Sequence, residues 1–359
     1  MTLVSICIPT YNGARYLEAS IQSALNQSYR DLEILIVDDC SKDETVDVAK
    51  RFAARDKRVR FVQNKRNLGL VGNWNRCIEL ATGAWIKFLF QDDLLQAECV
   101  QLMLDEAERQ SALFVACDRE FLFEASTDDS LRAIYARNRS VINAFLGPNR
   151  GASPEAYAQR ILRRINNNYV GEPTSTLIHR DVFQQLGLFD SECIQLCDLE
   201  FWSRAASHYG IAFVPQALTT FRVHSSATSA VNRTAHSFRS VGLEGLILID
   251  AYLEKEVYAH LRELWTTLGS LARVLIERHH RANEVWEYVR HARKSSTEGR
   301  VIRGEYEVFL ARHPRCRVSR SDHLKWLARS LPLRYKFRLG QALNPLLPRA
   351  FKREGSRPL

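Results

Sequence analysis

The sequence lacks several features that would assign it to a common class of protein. No apolar run approaches the roughly 20 residues of a membrane-spanning helix, because the longest runs have the length of strands. Residues 3–9 follow Met1 without a basic region and are typical of a strand rather than of a signal peptide. These absences favour a cytoplasmic protein.

Paired cysteines are also missing. The eight cysteines are scattered, Cys193 and Cys197 are the only close pair, and no CxxC motif of a structural zinc site occurs. We interpret Cys193 and Cys197 as free thiols and several of the others as small hydrophobic residues within strands. Unpaired cysteines are typical of the reducing cytosol, which agrees with a cytoplasmic location.

A glycine-rich phosphate-binding loop is absent after the first apolar run. Residues 9–16, PTYNGARY, contain one glycine and one basic residue. A dinucleotide-binding fold would have GxGxxG at this point, and a nucleotidyltransferase would normally have a glycine-rich basic loop. The sequence therefore argues against both classes.

Positive charge is concentrated at one end of the chain. Residues 312–359, the basic tail, contain 13 Lys or Arg and 2 Asp or Glu, a net charge of +11 in a chain of +9. Residues 1–311 therefore carry −2, which argues against a nucleic-acid-binding body. Leucine and aromatic residues lie among the basic ones. We expect the tail either to contact anionic lipid or to form a helical hairpin on the protein, and the sequence leaves both open.

Hydrophobic runs alternate with helical periodicity in the first third of the chain. The runs are residues 3–9, 32–37, 59–62 and 86–90, and polar residues follow each of them. Strands that alternate with helices form βαβ units, so we predict an α/β fold with a mostly parallel sheet. Ligands of such sheets bind beyond the carboxyl ends of the strands, where these polar residues lie.

Two adjacent carboxylates, Asp92 and Asp93, follow the run at residues 86–90. Carboxylates this close repel each other unless a cation lies beside them. Because Mg²⁺ and Mn²⁺ bind carboxylate and phosphate oxygens, the pair is consistent with a metal site for a diphosphate substrate. The alternative is a helix N-terminus, with Asp93 as the cap of a helix that starts near Leu94.

Seven segments together resemble the family 2 glycosyltransferases. In order they are SICIPTYNGARYLEASIQSALNQSY, LEILIVDDCSKDET, RFVQNKRNLGLVGNWN, GAWIKFLFQDDLL, VGEPTSTLIHRDVFQQLGLFD, CDLEFWSRAA and FVPQALTTFRVH. They span roughly residues 3 to 226 and follow the family's order. The resemblance implies the GT-A fold, a UDP- or dTDP-sugar as donor, Mg²⁺ or Mn²⁺ as cofactor, and transfer with inversion at the anomeric carbon.

The resemblance also implies a set of nucleotide-binding residues. In the family, the loop after the first strand lines the base and ribose, an acid after the second strand contacts the nucleoside, and the next loop closes over the base. The residues at these positions are Pro9, Thr10, Tyr11, Asn12, Asp39, Arg66 and Asn67. From the residues alone, Thr10 and Asn12 could equally cap a helix, and Asp39 could start a turn.

The family's metal ligands have partial counterparts here. Asp92 matches the last Asp of an Asp-x-Asp motif, and His224 matches a histidine that meets the metal or the diphosphate. Phe90 replaces the first Asp, so we expect looser metal affinity. The resemblance makes Asp93 a supporting group or an acceptor of a sugar-hydroxyl hydrogen bond.

Asp198 matches the family's general base, and Glu200 is the alternative base. A buried carboxylate can act as a base because burial raises its pKa toward neutrality. Cys197 replaces the Glu that commonly precedes the base. Without the family, Asp198 near the start of a helix would be interpreted as an N-cap. Glu172 matches a position near the acceptor or donor sugar.

We predict a glycosyltransferase domain at residues 1–235, with a nucleotide-binding half at 1–117 and an acceptor half at 118–235, followed by a helical region at 236–359. The expected function is sugar transfer to a carbohydrate or lipid-linked acceptor in cell-surface polysaccharide synthesis. A lipid-linked acceptor would place the enzyme at the inner face of the plasma membrane, with no nucleic-acid partner. The alternatives are a catalytically impaired, membrane-docked binding protein and a nucleotidyltransferase.

Overall fold

The computed structural model describes residues 2–125, 127, 129–224, 227, 238–292 and 296–326. The chain divides into two compact units, Met1–Leu275 and Ile276–Leu359. The domain boundary predicted after residue 235 falls outside the described residues and stays a prediction. Most of the basic tail lies outside the described residues, including Leu327, Leu331 and the aromatic and leucine residues that follow them.

The first half of the larger unit is a set of parallel strands separated by helices. Its elements are β1 (Val4–Thr10), α1 (Ala14–Leu25), β2 (Leu32–Asp38), α2 (Thr45–Ala53), β3 (Val59–Gln63), α3 (Gly69–Leu80) and β4 (Trp85–Phe88). β1 pairs in parallel with both β2 and β4, and β2 pairs in parallel with β3. Every residue of β1 is buried, as expected for a strand covered by helices on both faces. The predicted α/β fold is confirmed.

The second half of this unit extends the same sheet with strands of mixed direction. The elements are β5 (Leu94–Leu95), α4 (Cys99–Gln110), β6 (Phe114–Phe123), α5 (Asp129–Leu146), β7 (Gly151–Ala152), α6 (Pro154–Ile161), β8 (Thr176–His179), α7 (Arg180–Leu186), α8 (Cys197–Tyr209) and β9 (Ile211–Val223). In the described residues the strand order is β3-β2-β1-β4-β8-β6-β9-β5, with β7 also on β9. β8 runs antiparallel to β4 and β6, whereas β9 runs parallel to β6.

Two local predictions were wrong. No helix starts near Leu94, because Leu94–Leu95 pairs with Thr219 and Thr220 of β9 and the helix begins at Cys99. Residues 125–170, whose polar sequence predicts irregular structure with a helical piece near Tyr157 to Ile165, also contain the 18-residue helix α5. Both differences come from tertiary contacts, since β5 forms only against β9 and α5 packs on β6 and β9.

The rest of the described chain is helical, as predicted. The α-helices are α9 (Glu244–Glu254), α10 (Ala259–Thr267), α11 (Leu271–His291) and α12 (Thr297–Arg312), and residues 320–326 are also helical. Within the described residues, no helix combines the length and apolarity needed to cross a bilayer.

Candidate active site

The loops after β1 and β2 are joined by hydrogen bonds at the carboxyl edge of the sheet. Asn12, at φ 48°, donates from its backbone N–H to the Ser41 hydroxyl at 2.8 Å. Its side-chain oxygen accepts from Lys42 N–H, also at 2.8 Å. Tyr11 is 46% exposed, and its backbone N–H donates to the Gln91 side chain at 2.9 Å. Tyr11 and Asn12 thus lie exposed in the loop after β1, whereas Pro9 and Thr10 are the buried last residues of β1.

Asp39 organises the third loop of this edge. Its buried carboxylate accepts from the backbone N–H groups of Leu68 and Gly69 at 2.7 and 2.9 Å, at the start of α3. The Asn67 side chain donates to the Asp39 carbonyl at 3.0 Å. Arg66 and Asn67 are exposed beside this anchor. Asp39 therefore fixes the loop predicted to close over the base, in addition to any contact with a nucleoside.

Asp38, which sequence reasoning did not single out, reinforces this arrangement. As the last residue of β2 it is fully buried and accepts from the backbone N–H and hydroxyl of Ser41 at 3.0 and 2.5 Å. Gln63 of β3 donates to the same carboxylate at 3.1 Å. The signal available in the sequence was the doubled Asp, of which only the second was assigned a role.

Asp92 and His224 come together from opposite parts of the chain. His224 Nε2 lies 2.9 Å from Asp92 Oδ2, and the two side chains are 5% and 19% exposed. The Tyr16 ring lies 5.0 Å from the His224 ring. The structure thus places together the two residues that were predicted to hold a metal ion.

Asp93 has a different environment from its neighbour. It is fully buried, and it accepts from the Thr174 hydroxyl at 2.6 Å and from the Arg222 backbone N–H at 2.9 Å. Burial, with the adjacent Asp92 charge, raises the pKa of Asp93 well above its usual value. Asp93 is not the N-cap of a helix. It ties the start of β5 to β9 and to the Thr174 turn.

Arg222, which was not among the predicted site residues, brings a positive charge to this edge. Its Nε donates to the Asp92 carbonyl at 2.9 Å, and its guanidinium lies 4.7 Å from the Tyr16 ring centre. Tyr16 in turn donates to the Glu124 carboxylate. A cation held next to Asp92 and His224 is suited to an anionic ligand.

Phe90 occupies the place where the family commonly has an acid. Its ring stacks on Trp74 at 4.9 Å, and Phe88 and Phe189 complete an aromatic cluster around Trp74. Phe90 therefore makes an apolar contact that connects the end of β4 to α3. Asp92 is the more accessible carboxylate of the Asp92–Asp93 pair.

Asp198 lies near the start of α8, whose N-cap is Leu196, so Asp198 is not the cap. One carboxylate oxygen accepts from Leu199 N–H at 2.7 Å and the other from Asn168 Nδ2 at 2.8 Å. Burial raises the pKa of Asp198 to about 7, and the Glu172 charge adds to this rise. A carboxylate with a pKa near neutrality is suited to general-base catalysis.

Glu200, the alternative base, belongs to a buried network. It is 2% exposed, pairs with Arg204 at 2.7 Å, and accepts from the Tyr258 hydroxyl. A carboxylate that is both paired with a guanidinium and enclosed has no route to an acceptor hydroxyl. The structure therefore favours Asp198 over Glu200 as the base.

Glu172 interacts electrostatically with both Asp93 and Asp198. Its carboxylate lies 2.5 Å from Nε of Arg119, which is buried beneath Gly171 at φ 120°. A Cβ on Gly171 would lie 2.7 Å from the Arg119 guanidinium, so this close approach requires glycine. The Glu172 charge raises the pKa of both Asp93 and Asp198. Asp93, Glu172 and Asp198 therefore share one electrostatic environment.

The donor groups at this edge fit a divalent cation only in part. Among the described residues, no group of three or more His, Cys, Asp or Glu side chains is arranged to hold a metal ion. Asp92 and His224 provide one oxygen and one nitrogen, and a hard cation also accepts phosphate oxygens. Asp92 and His224 therefore fit a metal ion whose remaining coordination positions would be filled by oxygens of a bound diphosphate.

Comparison with known families identifies the family of the chain. The model for "Glycosyl transferase family 2" matches residues 5–187, half of the chain. The chain belongs to glycosyltransferase family 2. The matched range includes the three nucleotide-side loops, Asp92 and Asp93, whereas Asp198 and His224 lie beyond it.

Relatives of this glycosyltransferase support the assignment. An uncharacterized protein of Mycobacterium tuberculosis (strain CDC 1551 / Oshkosh) is 31% identical over 226 residues, covering 63% of this chain and 68% of the relative. An Escherichia coli chondroitin synthase is 36% identical over 139 residues, 39% of this chain but 18% of the synthase. The match to the synthase is thus restricted to a small part of that protein.

Solved structures share the fold of the glycosyltransferase. Residues 1–349 of S. aureus TarS superpose with a TM-score of 0.52 at 16% identity, over 84% of this chain and 77% of that fragment. A mannosyltransferase from Pyrobaculum calidifontis, in complex with GDP-Man and Mn²⁺, gives a TM-score of 0.51 at 15% identity, over 90% of this chain and 83% of that one. The predicted GT-A fold is confirmed.

Proposed function

We propose that the enzyme transfers a sugar from a nucleotide diphosphate sugar to a hydroxyl of a carbohydrate or lipid-linked acceptor, with inversion, in polysaccharide synthesis. The observation that carries this proposal is the position of Asp198, a single carboxylate held near the start of α8 by hydrogen bonds from Asn168 and Leu199. Burial raises the pKa of this carboxylate to about 7. An inverting transfer needs one base for the acceptor hydroxyl and a stabilised leaving group on the other side of the sugar. The chondroitin synthase relative supports the setting in polysaccharide synthesis.

The three loops at the sheet edge would bind the nucleotide. Residues 9–12 would line the base and ribose, with Tyr11 exposed for contact. Asp39 holds the loop that carries Arg66 and Asn67, so it would position these exposed side chains over the base. We expect the base to be uracil or thymine.

Asp92 and His224 would hold Mg²⁺ or Mn²⁺ together with the diphosphate of the donor. The metal ion would neutralise charge on the departing nucleoside diphosphate. Arg222 would add a second positive charge, since its guanidinium is fixed between the Asp92 carbonyl and the Tyr16 ring. Because Phe90 removes one carboxylate, metal affinity should be lower than at a complete Asp-x-Asp site.

A panel of nucleotide sugars with Mn²⁺ tests the proposed reaction. We expect one donor to be hydrolysed or transferred with release of its nucleoside diphosphate, and the same donor to raise the Tm. Release of pyrophosphate would instead indicate a nucleotidyltransferase. A donor that binds but is neither hydrolysed nor transferred, whichever acceptor is added, would indicate a catalytically impaired binding protein.

The pH dependence of transfer follows from the state of Asp198. The base must be deprotonated, and burial raises its pKa to about 7. At saturating donor, kcat should therefore fall about tenfold per pH unit below that value and level off above it. A pH profile of kcat measures this directly. A rate unchanged between about pH 5 and 8 would contradict the assignment.

Membrane contact through the basic tail remains a proposal, and it would place the enzyme at the inner face of the plasma membrane. With a net charge of +11, the tail should bind anionic vesicles, and salt should release it. Co-sedimentation of the full chain and of a chain ending near residue 320 checks this. Pelleting that is equal for both chains, or independent of anionic lipid, would favour the helical hairpin instead.

A further inference from the structure

The N-terminus of α9 contacts the segment that positions Asp198. Glu244, the first residue of α9, is 1% exposed. Its carboxylate accepts from the backbone N–H groups of Ile194, Gln195 and Leu196 at 3.0, 2.7 and 2.9 Å. Leu196 is the N-cap of α8, and it has no side-chain capping bond of its own. One side chain thus fixes the three consecutive residues that lead into α8, two to four positions before Asp198.

The next residue of α9, Gly245, lies against Asn166, on the segment that also carries Asn168. A Cβ on Gly245 would lie 2.3 Å from Nδ2 of Asn166, so a larger residue at this position would displace the Asn166 side chain. Asn166 precedes by two residues Asn168, which donates to the Asp198 carboxylate at 2.8 Å. The Asn168 amide cannot reverse, because its oxygen accepts from the N–H groups of Val170 and Gly171 at 2.9 and 2.8 Å. The first turn of α9 thus contacts the residues before α8 through Glu244 and approaches the segment that carries Asn168 through Gly245.

A buried carboxylate bound to three backbone N–H groups resists displacement. Charge-assisted hydrogen bonds are stronger than neutral ones, and a lost partner would leave buried N–H groups unpaired. A base must lie within hydrogen-bonding distance of the proton it removes, and a displacement of about 1 Å can cost about a hundredfold in rate. The position of the segment 194–196 therefore bears on catalysis as well as on stability.

We propose that Glu244 is a positioning residue that holds Asp198 in its catalytic orientation. Glu244 lies beyond residues 5–187 of the family match, on a helix of the C-terminal region. The role rests on the proposed function, because it acts through Asp198 as the base. It gives α9 a part in the reaction that the glycosyltransferase motifs do not include.

A double-mutant cycle tests this role. Glu244→Gln keeps the size of the side chain but removes the charge and one acceptor. We expect kcat to fall about a hundredfold, with donor KM and UDP affinity within about twofold of wild type. In an Asp198→Asn background, Glu244→Gln should cost little further rate, because residues that act through one another are not additive. An equal loss in both backgrounds would overturn the proposal.

Tyr252→Phe is the matched control. It removes a buried hydrogen bond of 2.6 Å between the same helix, α9, and Ser203 of α8. We expect it to lower Tm to a degree similar to Glu244→Gln and to leave kcat near the wild-type value. A parallel loss of kcat in both variants would show that Glu244 has only a structural role. If Asp198→Asn itself retains full activity, the proposed base is wrong, which is a different result from a failure of the Glu244 role.

Discussion

Replacing Asp198 with Asn should lower kcat by roughly two to four orders of magnitude, the range expected for loss of a positioned general base. The change removes the proton acceptor but keeps the size of the side chain. Donor affinity should barely change, because in our account Asp198 contacts the acceptor hydroxyl rather than the nucleotide. Steady-state kinetics at saturating donor, with UDP binding measured separately, tests both parts.

Two observations distinguish a lost base from a damaged fold. The Asn amide must place a donor near either Leu199 N–H or the Asn168 amide, so a small loss of Tm is expected. Glu200→Gln is the comparison, because it breaks a buried ion pair with Arg204 and should mainly lower stability, by about 3–5 kcal/mol. If folded Glu200→Gln lost more kcat than Asp198→Asn, Glu200 rather than Asp198 would be the base. A parallel fall in donor affinity would make Asp198 a binding residue.

Replacing Asp92 with Ala should abolish transfer and metal-dependent donor binding while leaving the protein folded. Asp92 is the accessible member of the acidic pair, and its carboxylate meets His224 at 2.9 Å. Removal of the Asp92 carboxylate leaves His224 as the single remaining protein ligand of the proposed metal site. Calorimetry of UDP binding with and without Mn²⁺ measures the loss, and chelation of the wild-type enzyme should reproduce it.

Asp105→Asn is the control for Asp92→Ala, since Asp105 is an exposed carboxylate on α4 that bonds to Gln101. It should leave metal dependence unchanged. If Asp92→Ala kept more than a few per cent of wild-type activity, Asp92 would not be a metal ligand. Full activity of the wild-type enzyme after chelation would show that the reaction does not require a metal ion.

The strands that carry the nucleotide loops could be predicted because their sequence pattern is local. Residues 3–9 and 32–37 are apolar runs that end in polar residues, and the structure has β1 and β2 there. Asp92 and His224 could be paired only through the family motifs, because they are far apart in sequence. Their contact depends on how β9 runs beside β6 and β5.

Other parts of the site depend on long-range contacts that leave no local pattern. Asp93 looks like a helix cap in sequence, but the hydrogen bond from Arg222 N–H makes it a link to β9. Asn168 and Glu244 lie on segments without a motif, and only the fold brings them to Asp198 or to the residues before it. The burial that raises the pKa of Asp198 to about 7 is likewise a property of the packed protein.

The stereochemistry of donor hydrolysis tests the central claim most directly, and it does not require the natural acceptor. Water would act as the acceptor when the wild-type enzyme is incubated with its donor and Mn²⁺. Early proton NMR spectra, recorded before mutarotation, show the anomeric configuration of the released sugar. One base and a single displacement predict release of the opposite anomer to that of the donor. Release of the same anomer would contradict the account.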